Sequence, residues 1–369
     1  MTMPTLSRQL VAQINLAALR HNLDRVRQCV QGAQIMAVVK ANAYGHGLLR
    51  ALPALGEAEG LALMELDAAI TLRERHYTRR LLLLEGFFSQ EELQEISQHR
   101  IAIVVHHRDQ VAALEQSELK RSLEVFLKIN TGMNRLGVEP DETAELCERL
   151  NASSAVAALR LMTHLGQAET KAGAEAPLAI FREACQGLPY PRSIANSAGV
   201  LRYGDVGGDI VRPGLMLYGV SPFPNQTAAS LNLQPVMSLR SELIAVRDVP
   251  EGEYVGYSDI YKTTRPTRIG VIACGYADGY PMTVRNGTPV RVAGKLATIA
   301  GRVSMDMITV DITDIPEARV GSPVLLWGED LPVEEVAHWA GVIPYQLLCG
   351  VTARVRFVTT EVGRVDFEL

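Results

Sequence analysis

Between residues 11 and 235, short runs of apolar, β-favouring residues alternate with longer stretches whose apolar positions recur near the helical period. The runs are QIMAVVK (34–40), GLALME (60–65), RLLLLE (80–85), IAIVV (101–105), LEVFLKI (123–129), VAALRLMT (156–163), RSIANS (192–197) and DIVRPGLMLYG (209–219). The segment LSRQLVAQINLAALRHNLDRVRQCVQ (6–31) reads as the helix before the first run. SQEELQEISQHR reads as another, with Ser89 at its cap and Glu92 three residues on, and Asp141–Leu150 as a third, entered after Pro140. Eight strands in a βα repeat predict a TIM-type (β/α)8 barrel. An open doubly wound sheet would call for GxGxxG after a strand. GDVGGD (204–209) is glycine-rich but lacks that spacing.

Beyond about residue 235 the pattern changes. MSLRSELIAVRDV, TRIGVIACGYAD, TPVRVAGKLATIAG, MDMITVDITD, SPVLLWG and TARVRFVTTEVGRVDFEL read as strands punctuated by Gly, Pro and Asp. Only VEEVAHWA (333–340) reads as helix. The expected division is a barrel over 10–235 and a β-rich domain over 236–369, joined by the N-terminal segment 1–9. PNQTAASLN (224–232) is a linker or exposed loop.

Composition narrows the function. With 36 Lys+Arg against 41 Asp+Glu the net charge is −5, which argues against a nucleic-acid surface. No run of 18 uncharged apolar residues exists, so no membrane span is expected. The N-terminus lacks a cationic segment followed by an apolar one, so a cytoplasmic location is expected. Five scattered cysteines without CxxC fit free thiols in a reducing compartment. His106 and His107 have no third ligand nearby in sequence and no HExxH occurs, so no metal is expected.

In a barrel, chemistry sits at the C-terminal ends of the strands. The polar residues there are Lys40, Lys128, His164, Asn196, Ser197 and Arg212. A lysine ending a buried strand is costly unless paired or used. Lys40 is therefore either a snorkelling lysine at the barrel mouth or a Schiff-base lysine for a carbonyl cofactor. In the second case Tyr44, four residues on, could reach a cofactor phosphate. Without a phosphate-binding loop, that phosphate would need mixed donors.

VVKANAYGHG, KINTGMNRLG, MTHLGQAE, ANSAG, VRPGLMLYG, VGYSDIY, GYADGYP and GRVSMDM follow one another along the chain. Together they resemble the bacterial alanine racemase family, dependent on pyridoxal 5′-phosphate (PLP), from about Asn15 to Tyr345. The resemblance implies interconversion of L- and D-alanine, and D-alanine supply for peptidoglycan. It implies covalent attachment of the cofactor at Lys40. Tyr44, Tyr345, Ser197, Asn196 and the amides around Gly214 and Leu215 would bind the phosphate end, and Arg212 would face the pyridine nitrogen. Two bases would act on opposite faces of Cα, Lys40 on the D face and Tyr257 on the L face. His164 and Arg212 would supply the cationic surroundings that a tyrosine base needs. Arg135 and the Met305 amide would hold the substrate carboxylate or the cofactor's phenolic oxygen, and Tyr276 would narrow the entrance. Tyr257 would come from the partner subunit, making a homodimer with shared sites.

Two positions depart from the family pattern: Asn130 stands where an aspartate is usual, and Ser304 where a cysteine is usual. Lys128 matches a lysine often carbamylated in relatives, which would orient Arg135. Rival readings are a PLP barrel decarboxylase, a broad-specificity PLP racemase and a PLP-binding homeostasis protein without turnover. The last matches only the first 230 residues or so.

Overall fold

A computed structural model describes residues 8–361 and 364–366. The chain opens with strand β1 (Val11–Asn15), followed at once by helix α1 (Leu16–Cys29). Residues 11–15 alternate half-buried and buried, which is strand patterning, so the helix read over 6–31 begins only at Leu16. Asn15 ends the strand and caps the helix, its Oδ1 accepting from the Ala18 N–H at 3.0 Å.

The barrel follows. Its strands are β2 (Gln34–Val38), β3 (Gly60–Leu63), β4 (Arg80–Leu83), β5 (Ala102–Val105), β6 (Leu123–Lys128), β7 (Val156–Met162), β8 (Arg192–Ser193) and β9 (Ile210–Val211). All pair in parallel in chain order, and β9 closes on β2 through Gln34↔Ile210 and Ile35↔Val211. Every residue of β3 and β5 is buried, as expected for parallel strands covered on both faces. Between them lie α2 (Lys40–Tyr44, a single turn of left-handed backbone) and the helices α3 (Leu48–Leu55), α4 (Leu66–Glu74), α5 (Gln90–Gln98), α6 (Arg108–Gln116), α7 (Thr143–Ala152), α8 (Lys171–Ala184) and α9 (Ser197–Tyr203). The long strand expected over 209–219 is only Ile210–Val211. Pro213 has no N–H to give a ladder, and Leu215–Tyr218 wind into a 3-10 turn instead.

The second unit contains β10 (Met237–Val249), β11 (Thr267–Ile272), β12 (Pro289–Val292), β13 (Lys295–Ile299), β14 (Ile308–Asp311), β15 (Pro323–Trp327), α10 (Val333–Ala340), α11 (Pro344–Gly350), β16 (Arg356–Glu361) and β17 (Arg364–Asp366). Its nine-stranded sheet runs β11-β14-β13-β12-β15-β10-β1-β16-β17 and is antiparallel except where β1 meets β16. The N-terminal strand in this sheet is thus 11–15, while residues 1–7 lie outside the described residues. Helix α11 was not expected, since its seven residues are too few to display a period. One apolar core runs through both units, from Phe126 in the barrel to Trp327 in the sheet.

Candidate active site

The strand after Gln34 ends at Val38, and the next segment makes an unusual turn. Ala41, Asn42, Ala43 and Tyr44 have φ of 52°, 53°, 54° and 51°. Four consecutive left-handed non-glycine residues cost about 1–2 kcal/mol each, so surrounding contacts must hold them. Asn42 Oδ1 accepts from the Leu48 N–H at 2.8 Å, and His46 Nδ1 lies 3.1 Å and 2.9 Å from the Ala43 and Tyr44 carbonyls. Gly45 lies under helix α11, where a Cβ would come within 2.1 Å of the Leu348 carbonyl oxygen. That close approach brings Tyr345 against Tyr44, with ring centroids 5.6 Å apart, while Tyr218 stacks on Tyr44 at 4.6 Å.

Above the C-terminal ends of the strands lies a cavity of about 1220 Å³. It gathers Lys40, Tyr44, Lys128, Arg135, His164, Asn196, Ser197, Arg212, Gly214, Leu215 and, from the second unit of the same chain, Tyr345. Residues 221–228, which overlap the 224–232 stretch expected as a linker or exposed loop, form one wall. Met64, Leu84 and Glu85, which the sequence reading passed over, line it from the ends of β3 and β4. Their positions after barrel strands were the available signal.

One end of the cavity is built to receive an anion. Helix α9 begins at Ser197. Its cap is Asn196, with Oδ1 accepting from Gly199 N–H at 3.0 Å and Nδ2 donating to the Leu165 carbonyl at 2.9 Å. The Asn196 amide is therefore committed to shaping the loop. Ser197 Oγ accepts from the N–H groups of Gly214 (2.9 Å) and Met216 (3.3 Å), tying α9 to the 215–218 turn. The amides of Ala198 and Leu215 donate to no backbone group among the described residues. Gly214 has room for no side chain, since a Cβ would lie 2.5 Å from the Tyr44 hydroxyl. Amides at helix starts beside two tyrosines suit a phosphate.

The floor is cationic. Arg212 is buried, donating from Nη1 to Ser193 Oγ at 2.5 Å and from Nη2 to the carbonyls of Thr163 (2.6 Å) and Ile194 (3.4 Å). Burial lowers its pKa to about 10. Burial, then Arg135, lowers the Lys40 pKa. Burial and the neighbouring Arg212, Arg135 and Lys40 bring Lys128 down to about 8. His164 is pushed to about 3 by burial and then by Arg212, Lys128, Arg135 and Lys40. These surroundings favour the neutral imidazole, so Arg212 carries more of the positive charge here than His164 does. Asn130 does not face this floor as a counter-ion. Its amide closes the 130–134 loop, accepting from Asn134 N–H at 3.1 Å and donating to Glu139 Oε1 at 3.2 Å.

Three expected site residues lie elsewhere. Tyr257, Tyr276 and Met305 are 67%, 40% and 53% exposed on the second unit and do not line the cavity. They share a surface. Tyr276 and Ala277 N–H groups donate to the Ser304 and Met305 carbonyls, each at 3.0 Å. Asn286 bridges the Tyr257 loop to the next one by bonding the Ile260 carbonyl at 2.7 Å and the Gly301 N–H at 2.8 Å. Ile260, Met282 and Met307 are exposed as well, so these loops display much apolar surface. Among the described residues no group of three or more His, Cys, Asp or Glu could hold a metal, and no helix is long and apolar enough to cross a membrane.

A closed parallel barrel with a cavity at the C-terminal ends of its strands, and a mainly antiparallel second domain, defines a class of two-domain barrel enzymes. Family models described as the N-terminal and C-terminal domains of alanine racemase match residues 14–222 and 236–359. The chain is 48% identical to an alanine racemase of Nitrosospira multiformis, covering 96% of this chain and 100% of that one. A solved biosynthetic alanine racemase of Pseudomonas aeruginosa superposes with a TM-score of 0.93 at 44% identity, over 96% and 99% of the two chains. One from Bartonella henselae, solved with covalently bound pyridoxal phosphate, gives 0.85 at 28% identity over 95% and 99%. The chain belongs to the alanine racemase family and is an enzyme of the isomerase class.

Proposed function

We propose that the protein interconverts L- and D-alanine with PLP held at Lys40, by two bases on opposite faces of Cα. The observation that carries the proposal is the cavity that sets Lys40 beside an anion cup, in a chain of this family. The residues fit the cofactor. The Lys40 amine is made easier to deprotonate by burial and Arg135. The Ala198 and Leu215 amides with the Tyr44 and Tyr345 hydroxyls would hold its phosphate, and Ser197, committed to the Gly214 and Met216 amides, fixes their spacing. When bound, PLP supplies the electron sink that acidifies the amino acid's Cα proton.

The chain's own groups supply the rest. Arg212 would face the pyridine nitrogen, where a guanidinium offers no proton and accepts none near neutrality. Lys40 would take and return the proton on the D face, and Tyr257 on the L face. Arg135 and the Met305 amide would bind carboxylate or phenolic oxygen, and Tyr276 would limit the entrance. Tyr257, Tyr276 and Met305 face away from their own cavity on an apolar surface, which supports a homodimer whose partner completes each site. The depressed Lys128 pKa supports carbamylation of its neutral amine, giving Arg135 an anion in place of a cation.

The test is to add PLP and L-alanine and measure D-alanine. Wild type should form it, and Lys40→Ala should lose both turnover and the visible band of bound PLP. A persisting band in that variant rejects Lys40 as the attachment point.

A further inference from the structure

The left-handed turn from Ala41 to Tyr44 carries both the lysine and the tyrosine of the site, and something must hold it against its strain. His46 is fully buried directly after it. Its Nδ1 sits between two carbonyl oxygens of the turn, Ala43 at 3.1 Å and Tyr44 at 2.9 Å. A lone pair there would face two others, so Nδ1 carries the proton and donates to both. The ring also leans on Tyr218, centroids 4.7 Å apart, whose hydroxyl donates to the Val38 carbonyl at 2.9 Å just before Lys40.

The other nitrogen is informative. Nε2 is buried with no partner. A buried unmet acceptor is costly, and an apolar ring of similar size would avoid it. The imidazole is also poorly suited to carry charge, since burial lowers its pKa to about 4. A neutral ring with one satisfied and one orphaned nitrogen makes sense if the satisfied one has a task.

We propose that His46 is a positioning residue: its Nδ1–H clamps the Ala43 and Tyr44 carbonyls, locks the left-handed turn, and so sets Lys40 and Tyr44 in register for the cofactor. The proposal rests on the reading that Lys40 binds PLP.

Two substitutions separate the clamp from mere filling. His46→Phe keeps a ring against Tyr218 but loses the donor. His46→Asn loses the ring but can keep a donor near the Nδ1 position. Folding is followed by far-UV circular dichroism, and PLP affinity by titration of the visible band. With a clamp, Phe weakens PLP binding about tenfold or more, while Asn stays within about threefold of wild type. The reverse order, Phe near wild type and Asn much weaker, overturns the proposal, as does equal binding by all three. Nitrogen NMR of ¹⁵N-histidine-labelled wild type reads the clamp directly, with the His46 signal assigned by its loss in His46→Phe. The signal so assigned should hold its proton on Nδ1 and not titrate down to about pH 5.5, below the ordinary histidine range. If it carries its proton on Nε2, or titrates in the ordinary range, the clamp is rejected. A wild type that forms no visible band with PLP would instead reject the cofactor reading, and the NMR result would still decide the tautomer.

Discussion

Acid should loosen this protein well before its carboxylates titrate. His164 and His46 have folded-state pKa values of about 3 and about 4, set mainly by burial and, for His164, by four surrounding cations. In the unfolded chain a histidine titrates near 6.5. Both folded values lie below the unfolded one, so the unfolded state binds more protons, and stability is lost as pH falls from 6.5. Between pH 7.5 and 5.5 each group costs about 1.4 kcal/mol, or about 3 kcal/mol together. The His164 share is an upper value because that ring borders the cavity. Burial lowers His106 too, which adds to the effect with the same sign. A loss of about 3 kcal/mol is a large part of a typical total of about 5–15. Urea unfolding at fixed protomer concentration, at both pH values, measures it. His46→Phe removes one of the two main groups and should cut the pH effect by about a third to a half. A change below about 1 kcal/mol, or a gain in stability at pH 5.5, would refute the account of the cationic floor and buried imidazoles.

Three further outcomes follow from the site. Gly214→Ala drives a methyl against the buried Tyr44 hydroxyl and should weaken PLP binding about tenfold, about 1.4 kcal/mol, as read by spectral titration. Lys128 should form a carbamate with ¹³C-bicarbonate, its amine nitrogen bonding the carbon of CO₂ and releasing a proton. Protonated lysine cannot react, so the carbon-NMR signal should grow as pH rises through about 8 and vanish in Lys128→Arg; no signal at any pH removes that role. Tyr257→Phe should keep the cofactor band but lose about 10²–10⁴ in racemisation. Mixing it with Lys40→Ala should restore about a quarter of wild-type activity, because half the dimers are then mixed and each holds one complete site. No recovery after subunit exchange would rule out sharing.

Much of the fold was legible because its period is local. The eight barrel strands stood out as short buried runs at a βα spacing, and the strand ends already named Lys40, Lys128, His164 and Arg212. Short elements escaped. Val11–Asn15 was absorbed into the neighbouring helical pattern, and the seven-residue α11 had no period to display. Glu85 and His46 carried no signal beyond position and motif, since what marks them is which groups surround them.

The residue types and their order, with strand-end cations and the family's motifs, belong to the sequence alone, because hydrophobic period and backbone chemistry act over a few neighbours. Tertiary structure decided what those residues become. Close packing of Gly45 under α11 brings Tyr345 onto the barrel of its own chain, while Tyr257 is left facing outward. Burial among four cations makes His164 neutral. Burial of His46 against Tyr218 sets the ring whose Nδ1 meets the left-handed turn. Desolvation, electrostatics and close approach depend on groups tens to hundreds of residues apart, so only the folded chain could set them.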